Sequence, residues 1–378
     1  MKTIRILALH LAYGGVEKAI CSMANLFVQR YPVEIISVYD MPNAPAYPLD
    51  ERVKVRYLLK DRPNQKEWHA ALRARKPIAF LRESVHAVKV LAEKKMAIQR
   101  TIRSIHDGIL ITTRHEDNLV LSLLGDPKVW KIAQVHEDHC FNLRYLDGFR
   151  HGYSGLDVVV MLTPGLAEEV RQWIPAKAKT RVVSVPNFLE HFPEPFSLEE
   201  KEKRIVAVGR MSWEKGFDRL IDCFAMTREK HPDWSLHIVG DGPELEKLEQ
   251  KAADLGLKDA VVFTGRLSPA GVEEEMKRAS LYAMTSVSEG FPFVLLEALS
   301  CGLPCVAFDV RVGPAAVIRA GVDGVLVPDG DREAYAVRLM ELMEDEPRRL
   351  EMAREAMLHA RDYSREKVAG IWDTVLEP

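Results

Sequence analysis

The sequence predicts an α/β protein made of two doubly wound, mostly parallel sheets of comparable size. Three observations predict it. Short apolar runs alternate with amphipathic helices along the chain, the pattern of strands joined by helical crossovers. The alternation breaks once, where Pro186-Asn187-Phe188 leads into a polar stretch from Pro193-Glu194-Pro195 to Lys203. Prolines followed by a run of charge mark a boundary there. The length of 378 residues suits two domains of roughly 100–200 residues each. The expected division is 1–190, 191–360 and a final helical segment, 361–378.

The first domain opens on an apolar run, Ile4–His10. It is expected to be a first buried strand rather than a signal peptide, because Arg5 and His10 interrupt it and Gly14-Gly15 follow. A helix over Val16–Gln29 comes next, then strands at Val33–Val38, Ile109–Thr112, Lys131–Val135, Val158–Met161 and Arg181–Val185. In the second domain the strands are Ile205–Val208, Leu236–Val239, Val261–Thr264, Leu281–Thr285 and Cys305–Phe308. The helix after the first of these is marked by Phe217, Leu220, Ile221 and Phe224 at i, i+3, i+4 and i+7. A last helix runs from Asp362 to Trp372, with Val368, Ile371 and Trp372 apolar. Ligands of such folds lie beyond the carboxyl ends of the strands, and two such domains facing each other make an interdomain cleft.

Composition narrows the function. Hydrophobic residues are 47% and charged residues 28%, which excludes a disordered chain, a collagen and a small disulfide scaffold. A net charge of −3 argues against nucleic acid as a partner. No apolar run reaches the roughly 18 residues of a membrane span. The cysteines Cys21, Cys140, Cys223, Cys301 and Cys305 are odd in number and irregularly spaced, as expected of reduced thiols in a cytoplasmic protein. Charge is segregated: residues 60–106 hold 12 Lys and Arg against 4 Asp and Glu. Within Ala71–Arg103, Ile78, Leu81, Val85, Val88 and Ala92 recur at helical spacing with Arg82, Lys89 and Lys95 among them. This reads either as solvated helix faces or as a basic amphipathic helix for an anionic partner, such as the inner face of a membrane.

Four loops at strand ends can carry chemistry. Gly14-Gly15 lets the backbone approach a ligand at a helix N-terminus, though such pairs are also plain turns. Gly209–Gly216 places Arg210 and Lys215 five apart, so both can reach one diphosphate, unless they are two solvated cations. Gly265-Arg266-Leu267 follows a strand and can offer backbone groups to a nucleobase, or simply turn the chain. Ser286–Glu297 is the most informative. Glu289 lies in a glycine-containing loop, and Glu297 falls about one turn into the next helix, among Val294, Leu295, Leu296, Ala298 and Leu299. A carboxylate there suits a vicinal diol, and the N–H groups near Phe293–Leu295 can cradle a diphosphate.

Together these motifs resemble the retaining glycosyltransferases of family 4, which have the two-Rossmann GT-B fold. The resemblance rests on Gly14-Gly15-Val16-Glu17-Lys18-Ala19, Val185-Pro186-Asn187, Val208-Gly209-Arg210 with Lys215-Gly216, and Gly240-Asp241-Gly242-Pro243-Glu244. It also rests on Glu289-Gly290-Phe291-Pro292 through Glu297 and on Glu297–Val306. It implies that Glu289 contacts the donor sugar, Glu297 the ribose, and Arg210 and Lys215 the diphosphate. Gly14, Gly15, Gly265, Arg266, Leu267, Gly290, Phe291, Pro292, Phe293 and Val294 complete the donor site. His136 best matches the histidine that faces the reacting sugar, ahead of His139 and then His115. The final helix would return to the first domain.

The implied reaction is metal-independent transfer from a nucleoside diphosphate sugar, most often a UDP-sugar, to an acceptor hydroxyl, with no further cofactor. A glycan, a lipid-linked acceptor or an anionic polymer of the cell envelope, capsule or teichoic acid is the expected acceptor. Other readings are an inverting transferase or sugar epimerase on the same scaffold, and a non-catalytic nucleotide-sugar or membrane-binding module. His136, Glu137, Asp138 and His139 could hold a cation, but lack a further ligand cluster. Asp329-Gly330-Asp331 reads as a helix cap, and Cys301 with Cys305 as core packing.

Overall fold

The computed structural model describes residues 2–377 apart from 43, 63, 137, 140 and 141, and apart from the side chains of 65 and 66. The chain divides into two compact units: Met1–Val185 with Ala369–Pro378, and Pro186–Val368.

The first unit contains β1 (Ile4–Ala8), β2 (Val33–Tyr39), β3 (Lys54–Leu59), β4 (Ile109–Thr112), β5 (Trp130–Val135), β6 (Val158–Met161) and β7 (Arg181–Ser184). They form one sheet in the order β3-β2-β1-β4-β5-β6-β7. The second unit contains β8 (Arg204–Val208), β9 (Ser235–Val239), β10 (Val261–Gly265), β11 (Leu281–Met284), β12 (Cys305–Asp309) and β13 (Gly324–Pro328), in the order β10-β9-β8-β11-β12-β13. Strand pairs are parallel in both, with Ile6 opposite Ile35 and Ile111, and Val206 opposite His237 and Tyr282. Each sheet starts at its centre, grows to one side, then crosses back to build the other. The chain connections therefore part between β1 and β4, and between β8 and β11, opening a crevice at the carboxyl ends.

Every predicted strand is present, shifted by two residues at most. Two strands escaped prediction, β3 and β13, both at sheet edges. β3 mixes Lys54 and Arg56 with apolar residues and is half exposed, while β13 starts at a glycine and ends at a proline. Both patterns resemble loops, and both are tolerated at an edge. The helical stretch expected over Ala71–Arg103 is two helices, α2 (Gln65–Arg73) and α3 (Pro77–Ser104). Between them Arg75 has φ +51°, a left-handed conformation no helix can continue. Pro77 then heads α3, where a missing N–H costs nothing. The first unit also contains α1 (Gly15–Phe27) and α4 (His115–Leu124).

In the second unit the predicted stripe Phe217, Leu220, Ile221 and Phe224 is buried in the core. Each such side chain contributes about 1.5–3 kcal/mol. Cys21, Cys223, Cys301 and Cys305 are buried, and burial pushes the Cys223 and Cys301 thiols up to about 12. Cys140 lies outside the described residues. The polar stretch ending at Lys203 holds a half-buried cation: Lys201 Nζ donates to the carbonyls of Met276, Lys277, Ala279 and Cys301 at 3.3, 3.1, 2.9 and 3.0 Å. It caps two helices, Pro269–Arg278 and Phe293–Ser300. Burial lowers its ammonium group to about 8. Among the described residues, no helix is long and apolar enough to cross a membrane.

The last helix is Arg365–Leu376, and its residues from Ala369 onward group with the first unit. Trp372 is buried edge-on against Phe27 with ring centroids 5.1 Å apart. Asp373 accepts two bonds from Arg30 Nη1 at 2.8 and 2.7 Å, and Trp130 Nε1 donates to the Val375 carbonyl at 3.0 Å. Replacing Trp372 with alanine is expected to cost about 3–5 kcal/mol, read as an earlier urea midpoint by far-ultraviolet circular dichroism. An unchanged midpoint would show that the ring is not part of that core.

Candidate active site

In the second unit the crevice is built by two loops. One follows β8 through Gly209–Gly216 into the helix Phe217–Ala225, and the other follows β11 through Thr285–Pro292 into the helix Phe293–Ser300. They interlock at Gly216. This residue has φ +62°, and a Cβ there would lie 2.1 Å from the Thr285 carbonyl oxygen, so only glycine fits. Thr285 Oγ1 donates to the Gly216 carbonyl and Val287 N–H to the Glu214 carbonyl, both at 2.8 Å. Arg219 Nη2 donates to the carbonyls of Thr285 at 2.7 Å and Ser286 at 3.2 Å. Its Nη1 donates to Asp329 Oδ1 at 2.9 Å, and the guanidinium lies 4.3 Å above the Phe308 ring.

The interlock brings Lys215 and Glu289 together. Lys215 Nζ donates to Glu289 Oε1 at 2.7 Å, and Ser286 Oγ donates to the same oxygen at 2.7 Å. Among the described residues, nothing hydrogen-bonds Oε2. Behind the carboxylate, Gly313 has φ +103°, and a Cβ on it would meet Glu289 Cβ at 2.7 Å. Asn187 Nδ2, itself buried, donates to the Phe291 carbonyl at 3.0 Å and steadies the same loop. Arg210 is exposed at the rim, and its guanidinium makes no hydrogen bond among the described residues.

The helix Phe293–Ser300 is buried except at Val294 and Glu297, one turn apart on its partly exposed stripe. Glu297 is thus neither a solvated surface glutamate nor buried in the core. Leu295 N–H is taken by the Pro292 carbonyl at 3.1 Å, so it is not available to an anion as expected. Val294 N–H makes no bond among the described residues. Gly265, Arg266 and Leu267 share the carboxyl rim but stand at the sheet edge, with β9 and β8 between them and β11. The Gly265 carbonyl accepts from Gly240 N–H at 2.9 Å, so that acceptor is already used.

The first unit has a crevice of its own. A cavity of about 200 Å³ opens where β1, β4 and β5 end, lined by Glu17, Arg114, His115, Glu116, His136 and Tyr145 among others. Arg114 Nε, His115 Nε2 and His136 Nε2 are buried and have no partner among the described residues. Buried polar atoms without a partner are uncommon in folded proteins. Gly14 behaves otherwise than expected. Glu17 folds back over it, and a Cβ on Gly14 would lie 2.0 Å from Glu17 Oε2. The glycine makes room for a carboxylate that faces His10 at 3.3 Å, and burial raises that carboxyl above its usual range. Gly15 has open space on its Cβ side.

The histidines sort differently from their expected order. His139 points into packing: its Nε2 meets Glu169 Oε2 at 3.0 Å and its ring lies 4.6 Å from Trp173. His115 lines the cavity beside His136, stacked on Tyr145 at 4.3 Å and bonded through Nδ1 to the Tyr153 hydroxyl at 3.0 Å. Glu137 lies outside the described residues. Asp331 does cap its helix, accepting from Ala334 N–H at 2.9 Å. Among the described residues, no group of three His, Cys, Asp or Glu is placed to hold a metal.

The sequence offered little signal for Arg219, Gly313 and Arg114, while Ser286 and Glu17 lay in quoted stretches without an assigned task. Their roles depend on which loops meet. Asn187 lay in a quoted motif without an assigned task.

Two parallel doubly wound sheets in one chain, each with its crevice at the carboxyl ends, define the GT-B class. Residues 190–359, within the second unit, match the family described as glycosyl transferases group 1. An exopolysaccharide phosphotransferase of Streptomyces coelicolor is 34% identical over 348 residues, which is 88% of this chain and 36% of that protein. The chain thus spans about a third of that relative's length. The amylovoran biosynthesis glycosyltransferase AmsD of Erwinia amylovora is 27% identical over 381 residues, 96% of each protein. A mutant of S. aureus TarM, solved with fondaparinux, alpha-GlcNAc-glycerol and UDP, has a TM-score of 0.78 over 100% of both chains at 14% identity, a likeness of fold.

Burial pushes the His136 imidazole down to about 4. With an unfolded value near 6.5, the unfolded chain takes up the proton first as pH falls. The stabilising contribution of neutral His136 is therefore full above about 6.5 and is lost as pH drops toward 4. The buried Asp117 carboxyl, raised to about 6, acts in the opposite sense between about 6 and 4. In an NMR titration, the His136 ring is expected to stay neutral down to pH 5. A ring resonance moving with a midpoint near 6.5 would contradict this.

Proposed function

We propose that this protein is a retaining glycosyltransferase that moves a sugar from a nucleoside diphosphate sugar, a UDP-sugar, to a hydroxyl of an envelope polysaccharide, capsule or teichoic-acid acceptor. The observation that carries the reading is the Lys215–Glu289 contact of 2.7 Å at the β8/β11 crevice, with Arg210 at its rim. It sets mobile positive charge for a diphosphate against a carboxylate whose second oxygen can receive sugar hydroxyls. Glu297 takes the ribose diol. UDP in the TarM complex supports the choice of base, and the names of the Streptomyces and Erwinia relatives support a polysaccharide acceptor. Buried cysteines without disulfide spacing support the cytoplasm as the place of reaction.

In this mechanism the acceptor oxygen forms its bond to the anomeric carbon on the face from which the diphosphate departs. The bond from that carbon to the diphosphate oxygen breaks, and this oxygen takes the acceptor's proton. Lys215 and Arg210 offset the charge that grows on the leaving group, and charge placed in advance is the main source of rate. These two side chains supply that charge without a metal. His136, neutral at pH 7, is too weak a base to remove the proton and instead hydrogen-bonds the reacting sugar.

Arg210→Ala combined with Lys215→Ala is expected to lower turnover by at least about 10²–10³-fold with the fold intact. Full activity in that variant would refute the diphosphate role. Glu297→Ala is expected to weaken UDP binding about tenfold, or about 1.4 kcal/mol, by calorimetry. Unchanged affinity would remove the ribose assignment. A thermal-shift screen with UDP-, GDP- and ADP-sugars tests the base: stabilisation by a UDP-sugar alone is expected, and a preference for another base would overturn it.

A further inference from the structure

We propose that α3 docks the protein on an anionic lipid bilayer, with its outer face lying in the headgroup layer. Residues 98–102 of the helix are anchored in the first unit, where Ile98, Thr101 and Ile102 are buried. Nearer its start, over residues 77–96, only Val90 is buried. There the helix leans on α2, where Trp68 Nε1 donates to Ser84 Oγ at 3.0 Å and the Trp68 ring lies 5.1 Å from Phe80. The opposite face is apolar and uncovered. Ile78, Leu81, Val85 and Val88 are 86, 66, 62 and 67% exposed, and Met96 continues their line at 45%.

From Ile78 to Met96 the stripe runs about 27 Å at 1.5 Å per residue. Single exposed leucines need no explanation, but an apolar line of this length marks an interaction surface.

Charge decides the occupant. Arg82 and Lys89 flank the stripe on one side and Lys95 on the other. Arg73, Arg75 and Lys76, all exposed, sit at the turn where α3 begins. The two acidic residues of α3 are both engaged. Glu83 accepts from Asn64 Nδ2 at 2.6 Å, and Glu93 lies 3.8 Å from Lys89 Nζ. An apolar stripe edged by lysine and arginine matches the boundary between acyl chains and anionic headgroups. A soluble polyanion would meet the cations but leave the stripe in water. A second copy would offer the same cations to one another and no unengaged α3 carboxylate. The proposal is independent of the glycosyltransferase reading, because none of these residues lies at either crevice.

The experiment is flotation of the full chain with vesicles of one-third phosphatidylglycerol in phosphatidylcholine, against phosphatidylcholine alone. Binding is expected only to the anionic vesicles, weakened at least tenfold as NaCl rises from 0.05 to 0.5 M. Leu81→Glu with Val85→Glu is expected to lower the bound fraction at least tenfold. So is Arg73→Glu with Lys76→Glu. All four positions are solvent-exposed, so circular dichroism and melting temperature should match the parent protein. No flotation of the parent protein would overturn the proposal, as would flotation of the Leu81/Val85 variant at the parent level. A parent dimer that the Leu81/Val85 variant dissociates would assign the stripe to a second copy instead.

Discussion

The contact between Gly216 and Thr285 governs the chemistry of the second unit. A backbone carbonyl occupies the space where any other residue would carry its Cβ, and the threonine hydroxyl returns a bond to the glycine carbonyl. Two loops from strands far apart in sequence are thereby held at one distance. Lys215 precedes this glycine and Glu289 lies four residues past this threonine, so their separation follows from the interlock rather than from either loop alone. Arg219 reinforces it by donating to the same Thr285 carbonyl and to that of Ser286. Preorganised charge needs such rigidity, because a cation free to relax toward water stabilises a departing anion far less.

The first unit solves a related problem in a different way. Its crevice holds two histidines, an arginine and two glutamates around a small cavity, and three of its nitrogen atoms are left without partners. Burial keeps His136 neutral and lifts the carboxyl groups of Glu17 and Asp117. The second unit presents a cation bonded to a carboxylate, whereas the first presents unpartnered polar atoms in a desolvated pocket.

Expectation and structure part company where local pattern and tertiary context disagree. Interior strands such as β4 and β6 are short, apolar but for Thr112, and buried on both faces, so composition alone marks them. β3 and β13 lie at edges, where half the surface meets water and charge or proline is allowed. The stretch Ala71–Arg103 is shared between α2 and α3 because Arg75 adopts a left-handed turn, something no periodicity encodes. His139 and His115 exchanged places for a similar reason. Both lie near strand ends, but one side chain turns toward Trp173 and Glu169 and the other toward the cavity.

Periodicity and loop composition alone determined that this chain forms two doubly wound sheets, and that glycine, arginine, lysine and glutamate gather at the ends of their strands. Those features are local: a buried strand must be apolar, and a helix start exposes N–H groups wherever it occurs. Tertiary structure alone decided which of these residues meet. Glu289 met Lys215, while Gly265 was held at the sheet edge and Gly14 was covered by Glu17. Contacts between residues dozens of positions apart depend on strand order and on steric fit at single atoms, and neither is written in the spacing of one loop.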